Sequence, residues 1–152
     1  MKQPNSKHCF VCGKENPFGL KLSFYETQPG EVVVEYSVPD QYQGYPGVVH
    51  GGVVAAMMDE VADRVHMGGD PPRFMFTARL EVRYHKNVPT GKCLRIVGHA
   101  GKSRGRTALA SCEIFGPDGQ LLAEAKALLV NVPEEVTQQV NLDALGWKVY
   151  QD

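Results

Sequence analysis

No run in these 152 residues approaches the ~20 consecutive apolar residues that a membrane-spanning helix requires. The first residues, MKQPNSK, lack the apolar core of a secretory signal, so the expected setting is cytoplasmic, with no membrane partner. Internal repeats and low-complexity tracts are missing as well. Net charge is close to zero, with 16 Lys and Arg against 17 Asp and Glu. Neither a helix-turn-helix nor an aromatic stacking motif is visible, so nucleic acid is not an expected partner. Cysteine is sparse: Cys9, Cys12, Cys93 and Cys112, all expected to be reduced. Cys9 and Cys12 form a C-x2-C pair beside His8. A structural zinc site takes about four ligands, and no second C-x2-C or H-x3-H follows. No metal is therefore expected, and the pair reads as a local turn.

What the chain does have is enough material for one domain spanning residues 1–152, with a real core. Hydrophobic residues make up 43% and charged residues 22%, an ordinary globular balance. Leu20, Leu22 and Phe24 alternate with Lys21, Ser23 and Tyr25, which predicts a half-buried strand inside an N-terminal extension (residues 1–30). After the turn at Gln28-Pro29-Gly30, Val32, Val34, Tyr36 and Val38 predict a second strand. From Val53 to about Met67 the chain reads as a helix rich in Ala and Met, small enough to let a sheet approach closely; Gly68 to Pro72 ends it. Four strands follow: one around Leu80–Tyr84, then Leu94–Ala100, Arg106–Phe115 and Leu121–Val132, with a turn expected at Gly101–Gly105. The tail at 133–152 offers at most one short helical turn. Short hairpin connections make the sheet mostly antiparallel. The fold class is α+β: a curved antiparallel sheet of five or six strands wrapped around one central helix.

The chemistry concentrates in YQGYPGVVHGGVVAAMMDEVADR, from Tyr42 to Arg64. Gly51 and Gly52 open the helix, where backbone N–H groups are free and accessible to a developing negative charge. Asp59 follows nine residues after His50, amid Ala and Met where a carboxylate without a role is costly. Its competing reading is a capping or salt-bridge contact, with Arg64 a candidate partner; Glu60 and Asp63 read as exposed or paired. The charge is also uneven. Between Pro71 and Ala110 stand nine Lys and Arg and one acid, Glu81. Such a patch can receive a polyphosphate, although solvated strand faces explain much of it.

The element order and P-G-x-x-H-G-G with Asp nine residues after the His resemble the hotdog-fold acyl-CoA thioesterases, closest to their phenylacetate-degradation-type group. The likeness extends to HCFVCGKENPFGLKLSFYE, FTARLEVRYHKNVPTG and RGRTALASCEIFGPDGQLLAEAKALLV. The resemblance implies hydrolysis of a coenzyme A thioester without a cofactor, by a homodimer or homotetramer whose active sites lie between subunits. Asp59 falls on the family's catalytic carboxylate, acting as base or nucleophile. Gly51 would polarise the carbonyl through its N–H, with Gly52 beside it in the substrate-binding motif, and His50 would orient the substrate. Thr77 would come from the partner subunit and position the water. A sensor or carrier that binds acyl-CoA without hydrolysing it is the alternative.

Two departures stand out. Relatives carry Asn or Gln six residues before the His, whereas here that position is Gly44, leaving Gln43 to substitute. The common Tyr-Leu-Arg-Pro is replaced by Tyr84-His85-Lys86-Asn87. Arg104 and Arg106 are the expected contacts for the coenzyme A phosphates, since Arg binds phosphate through two parallel hydrogen bonds. The chemistry suits these groups. A thioester needs a positioned water, an ionised carboxylate and a donor for the oxyanion. An Asp with its usual pKa of ~3.9 supplies the second at neutral pH.

Overall fold

A computed structural model describes residues 1–152. The strands are β1 (Tyr25–Gln28), β2 (Glu31–Ser37), β3 (Met75–Tyr84), β4 (Cys93–Arg104), β5 (Thr107–Phe115) and β6 (Leu121–Asn131). Helix α1 is Gly51–Arg64, and α2 is the short Glu134–Thr137. The six strands form one sheet in the order β1-β2-β4-β5-β6-β3, and every neighbouring pair is antiparallel. Helix α1 packs against β2, β3, β4, β5 and β6. This is the hotdog arrangement expected from the sequence.

Alternation explains which face of the sheet is buried. In β5, Ala108, Ala110, Cys112 and Ile114 are buried while Leu109 is exposed; in β6, Ala123, Ala125, Ala127 and Leu129 are buried. Small side chains dominate these rows, so the helix can come close. The approach is close at Gly98 of β4. A Cβ there would stand 2.7 Å from Val61 Cγ1, 2.9 Å from Val65 Cγ1 and 3.1 Å from the Val61 carbonyl oxygen. Two of these atoms belong to β-branched side chains with little rotamer freedom, and the third is backbone. On α1, Met57, Met58 and Val61 are fully buried, filling the space between helix and sheet.

Two expectations are corrected. Leu20, Leu22 and Phe24 are buried as their alternation predicts, yet the sheet strand begins only at Tyr25. The backbone from 20 to 24 pairs instead with the N-terminal segment: Leu20 N–H donates to Phe10 O, Leu22 N–H to Val11 O, and Phe24 O accepts from Gln3 N–H. Those bonds leave no sheet ladder to join. The turn expected at Gly101–Gly105 is also shorter. Strand β4 runs on to Arg104 through an irregularity between Ala100 and Ser103, and the chain reverses at Gly105, whose φ is +58°.

The N-terminal segment clasps the end of α1. Asn5 is fully buried, and its Nδ2 donates to Cys12 O and Leu22 O, both at 2.7 Å. Arg64, 1% exposed, reaches into this clasp: Nη1 donates to Pro4 O at 2.7 Å, and the guanidinium lies 3.8 Å over the Phe24 ring. Its charge is balanced by Glu60, with Nε donating to Oε1 at 3.0 Å.

If the helix rests on the sheet at Gly98, Gly98→Ala will destabilise the domain by about 1–3 kcal/mol, as overpacking does. Urea unfolding should show a lower midpoint with an unchanged slope. An unchanged midpoint would mean that α1 is not held this close.

Candidate active site

The loop before α1 is pinned at both ends. Gln43 and Val49 form one isolated bridge, Val48 and Pro89 another, and Gly47 sits at φ +76°, where a Cβ would be strained. His50 then caps the helix. Its Nδ1 accepts the Gly52 N–H at 2.9 Å, and its carbonyl accepts from Val53 at 2.9 Å and Val54 at 3.0 Å. Of the first-turn donors, the Gly51 N–H alone has no acceptor in the chain. With Nδ1 accepting, a neutral His50 carries its proton on Nε2. Tyr84, at the end of β3, donates its hydroxyl to Gly51 O at 2.6 Å and fixes the first helical peptide. A cleft of about 560 Å³ opens here, lined by Tyr45, Val48, His50, Gly51, Tyr84 and Lys86 among others.

Farther along the helix, Asp59 is half-buried and its Oδ1 accepts the Thr77 hydroxyl at 2.6 Å. Plain alternation puts Thr77 on the Arg79 face of β3, away from the helix. The register supplies the reason it is not there: Thr77 pairs with Leu129 and Arg79 with Leu128, so Ala78 is an extra residue in a bulge. The bulge lets Thr77 turn inward with Met75 before the bulge and Leu80 and Val82 after it. Arg64 pairs with Glu60, not with Asp59, so the salt-bridge reading of Asp59 is overturned. Glu60 is paired as expected, but Asp63 is neither exposed nor paired. Its Oδ1 has no partner, and burial, with Glu60 and Asp59 nearby, pushes its pKa up to about 7.

The structure does not bring all the expected residues together. Gly51 and Asp59 are eight residues apart on one helix. At ~1.5 Å per residue that is about 12 Å along the axis. The Gly51 N–H and the Asp59 carboxylate therefore do not converge on one carbonyl within a single chain. Thr77, expected from a partner subunit, meets the Asp59 of its own chain. Gln43 turns its Oε1 to the Gly47 N–H at 3.3 Å, holding the loop. The Gly52 N–H is taken up by His50, which leaves only Gly51 as a free donor. Arg104 and Arg106 are exposed at the β4–β5 reversal, beside the Met75 end of β3 and away from the cleft at its Tyr84 end. Sequence reasoning missed Tyr84 as the clamp on Gly51 and Asp63 as a buried acid. Asp63 has a visible signal in its spacing, one helical turn beyond Asp59; Tyr84 has none.

Comparison with known proteins agrees with this architecture. The family profile described as the thioesterase superfamily matches residues 46–123. The protein named acyl-coenzyme A thioesterase THEM4 from Xenopus laevis is 31% identical over 112 residues, covering 72% of this chain and 49% of that relative. The Rattus norvegicus protein of the same name is 29% identical over 133 residues, covering 86% of this chain and 56% of its own. The chain thus spans about half the length of these curated relatives. Among solved structures, the thioesterase superfamily protein RHA08564 superposes with a TM-score of 0.74 at 31% identity, over 82% of this chain and 63% of that one. A Streptococcus mutans protein, smu.793, solved bound to acetyl CoA, shares the fold with a TM-score of 0.66 at 21% identity, over 73% of this chain and 88% of its own. The profile spans the helix entrance, α1 and the strand that carries both Thr77 and Tyr84, and on that match the chain belongs to the thioesterase superfamily.

Proposed function

We propose that this protein hydrolyses acyl-CoA thioesters at sites formed between two copies of the chain. Asp59 and Thr77 come from one copy, Gly51 and His50 from the other. The observation that carries this reading is the 2.6 Å bond from Thr77 to Asp59, made possible by a bulge that has no other evident use. It orients a carboxylate that the packing of α1 would otherwise not require. The names of the THEM4 relatives and the acetyl CoA bound to the Streptococcus mutans protein support coenzyme A thioesters as the substrate class.

In this mechanism Thr77 occupies Oδ1, and Asp59 uses its other oxygen to take a proton from water. The water attacks the thioester carbon, and the developing oxyanion accepts the unpaired Gly51 N–H at the start of the partner's helix. Collapse expels the coenzyme A thiolate, a fair leaving group that needs no metal to assist it. Tyr84 holds the adjoining Gly51–Gly52 peptide in place through the Gly51 carbonyl. His50 both shapes the helix start and presents Nε2–H to the substrate. Arg104 and Arg106, exposed beside the Met75 end of β3 and so on the Thr77 side of the site, meet the coenzyme A phosphates. Self-association as a homodimer or homotetramer is required, because one helix cannot supply both halves.

Free-thiol release from short, medium, long and aryl acyl-CoAs tests this, with the protein's own four thiols subtracted. Asp59→Asn should lower kcat by ~10²–10⁴, the usual contribution of a general base. Loss of the Thr77 hydroxyl in Thr77→Val should cost ~10–100-fold, as for a hydrogen bond to a charged group. Unchanged turnover in Asp59→Asn would remove Asp59 from the mechanism. Tight acyl-CoA binding with no thiol release from any substrate would make the protein a carrier.

The donor has its own test. Gly51 is the first helical residue, a position that suits proline, and His50 already has the φ of −55° and ψ of 134° that a residue before proline adopts. Gly51→Pro should keep the fold while replacing the N–H with a ring carbon, so that the donor is lost and its place is filled. We expect kcat to fall by ~10²–10³ with little change in thermal stability. A fully active Gly51→Pro variant would show that the oxyanion is held elsewhere.

A further inference from the structure

Cys9, Cys12 and Glu60 take no part in the reaction above, yet they form the tightest cluster of ligand-type atoms in the molecule. The two sulfurs and one Glu60 oxygen all lie within 4.8 Å of one another, and Cys9 Sγ stands 3.8 Å from Glu60 Oε2. Around a tetrahedral zinc with Zn–S of about 2.3 Å and Zn–O of about 2.0 Å, sulfur and oxygen ligands sit about 3.5 Å apart and two sulfurs about 3.8 Å. The spacing is therefore near that of a filled site.

The turn is also shaped for a thiolate. The N–H groups of Val11 and Cys12 both point at Cys9 Sγ, at 3.3 and 3.4 Å. Gly13 is required for that turn, since a Cβ would fall 2.3 Å from Cys9 O and 2.6 Å from Cys9 N. Glu60 is held from behind: Arg64 Nε and Nη2 both address Oε1, at 3.0 and 2.9 Å, leaving Oε2 toward the sulfurs. The charges close as well. Two thiolates and a carboxylate bring three negative charges, Arg64 returns one positive, and a divalent cation balances the remaining two. Cys12 and Arg64 are 2% and 1% exposed, so an unbalanced cluster would be costly here. His8, despite its place beside Cys9, is exposed and lies outside the cluster.

We propose that Cys9, Cys12 and Glu60 bind a divalent, thiophilic metal ion of the zinc class, with a fourth position open to water. Ser6 and Cys9 also line an apolar pocket of about 450 Å³ bounded by Phe74, Phe76, Val136 and Trp147. Binding replaces the two thiol protons, which pass to solvent, and involves no redox change. The ion ties the N-terminal clasp to α1 at the residue next to Asp59. The sequence alone points to a bare turn because the third ligand comes from the helix, far along the chain.

The test is elemental analysis of untagged protein purified without chelator, followed by cobalt(II) titration of reduced, metal-stripped protein. We expect about one zinc per chain and a sulfur-to-cobalt charge-transfer band. Both should vanish in Cys9→Ser and Cys12→Ser and persist in Cys93→Ser. Glu60→Gln should weaken cobalt binding ~10-fold or more. Should the cysteine variants fail to fold, alkylation of the wild type mapped by mass spectrometry decides: zinc must protect the half-buried Cys9, reactive in metal-stripped protein, while leaving Cys93 reactive. Substoichiometric zinc with no charge-transfer band at excess cobalt overturns the proposal. A Cys9–Cys12 disulfide formed with glutathione disulfide, in protein that binds no cobalt, would make the pair a redox site instead.

Discussion

One helix carries both halves of the proposed site, and its geometry dictates the rest. Fourteen residues long, α1 begins at Gly51 with an unpaired N–H and holds Asp59 farther along its length. A helix cannot fold back, so about 12 Å separates the two groups whatever surrounds them. The sheet responds by serving each end separately. The Tyr84 end of β3 clamps Gly51, while the Thr77 end of the same strand meets Asp59. Strand and helix thus run past each other with two side-chain hydrogen bonds, each fixing a different half of the proposed site.

This division places a demand on packing. Both contacts require β3 and α1 to keep a fixed offset, and the offset is set across the sheet by small residues under the helix. Gly98 lets β4 touch Val61 and Val65, and the alanines of β5 and β6 continue the same surface. At its far end α1 is held by Arg64, which joins Glu60, Phe24 and the backbone of Pro4. A buried charge of this kind is held in place because removing either partner leaves the other unpaired in a desolvated setting. The N-terminal segment and the helix are therefore coupled, and a metal ion at Cys9, Cys12 and Glu60 would tighten the same junction.

Much of this was legible in the residues, for reasons that can be stated. The strands of the sheet show in alternation because one face meets the helix and the other does not. The helix start shows in His50-Gly51-Gly52, and Asp59 stands out by being charged among Ala and Met. Thr77 was less legible. Its inward direction depends on the extra residue Ala78, and a bulge leaves no mark in a simple period-two pattern. The strand expected at Leu20 had the right buried side chains, but alternation cannot tell which neighbour takes up the backbone hydrogen bonds. Gly101 looked like a turn because glycine usually breaks strands, whereas β4 absorbs it in an irregularity and continues. Contacts between distant residues, Tyr84 with Gly51 and Cys9 with Glu60, have no local signature at all.

The central claim is that a working site needs two chains, and subunit complementation tests it most directly. Gly51→Pro and Asp59→Asn subunits, each nearly inactive alone, are mixed under conditions that allow exchange. In a two-fold assembly each mixed pair has one site with both lesions and one with neither, so an equal mixture should recover about a quarter of wild-type activity. A mixture no more active than its parents, with hybrid assemblies verified by mass spectrometry, would contradict the account and show that Gly51 and Asp59 do not share a site across two chains.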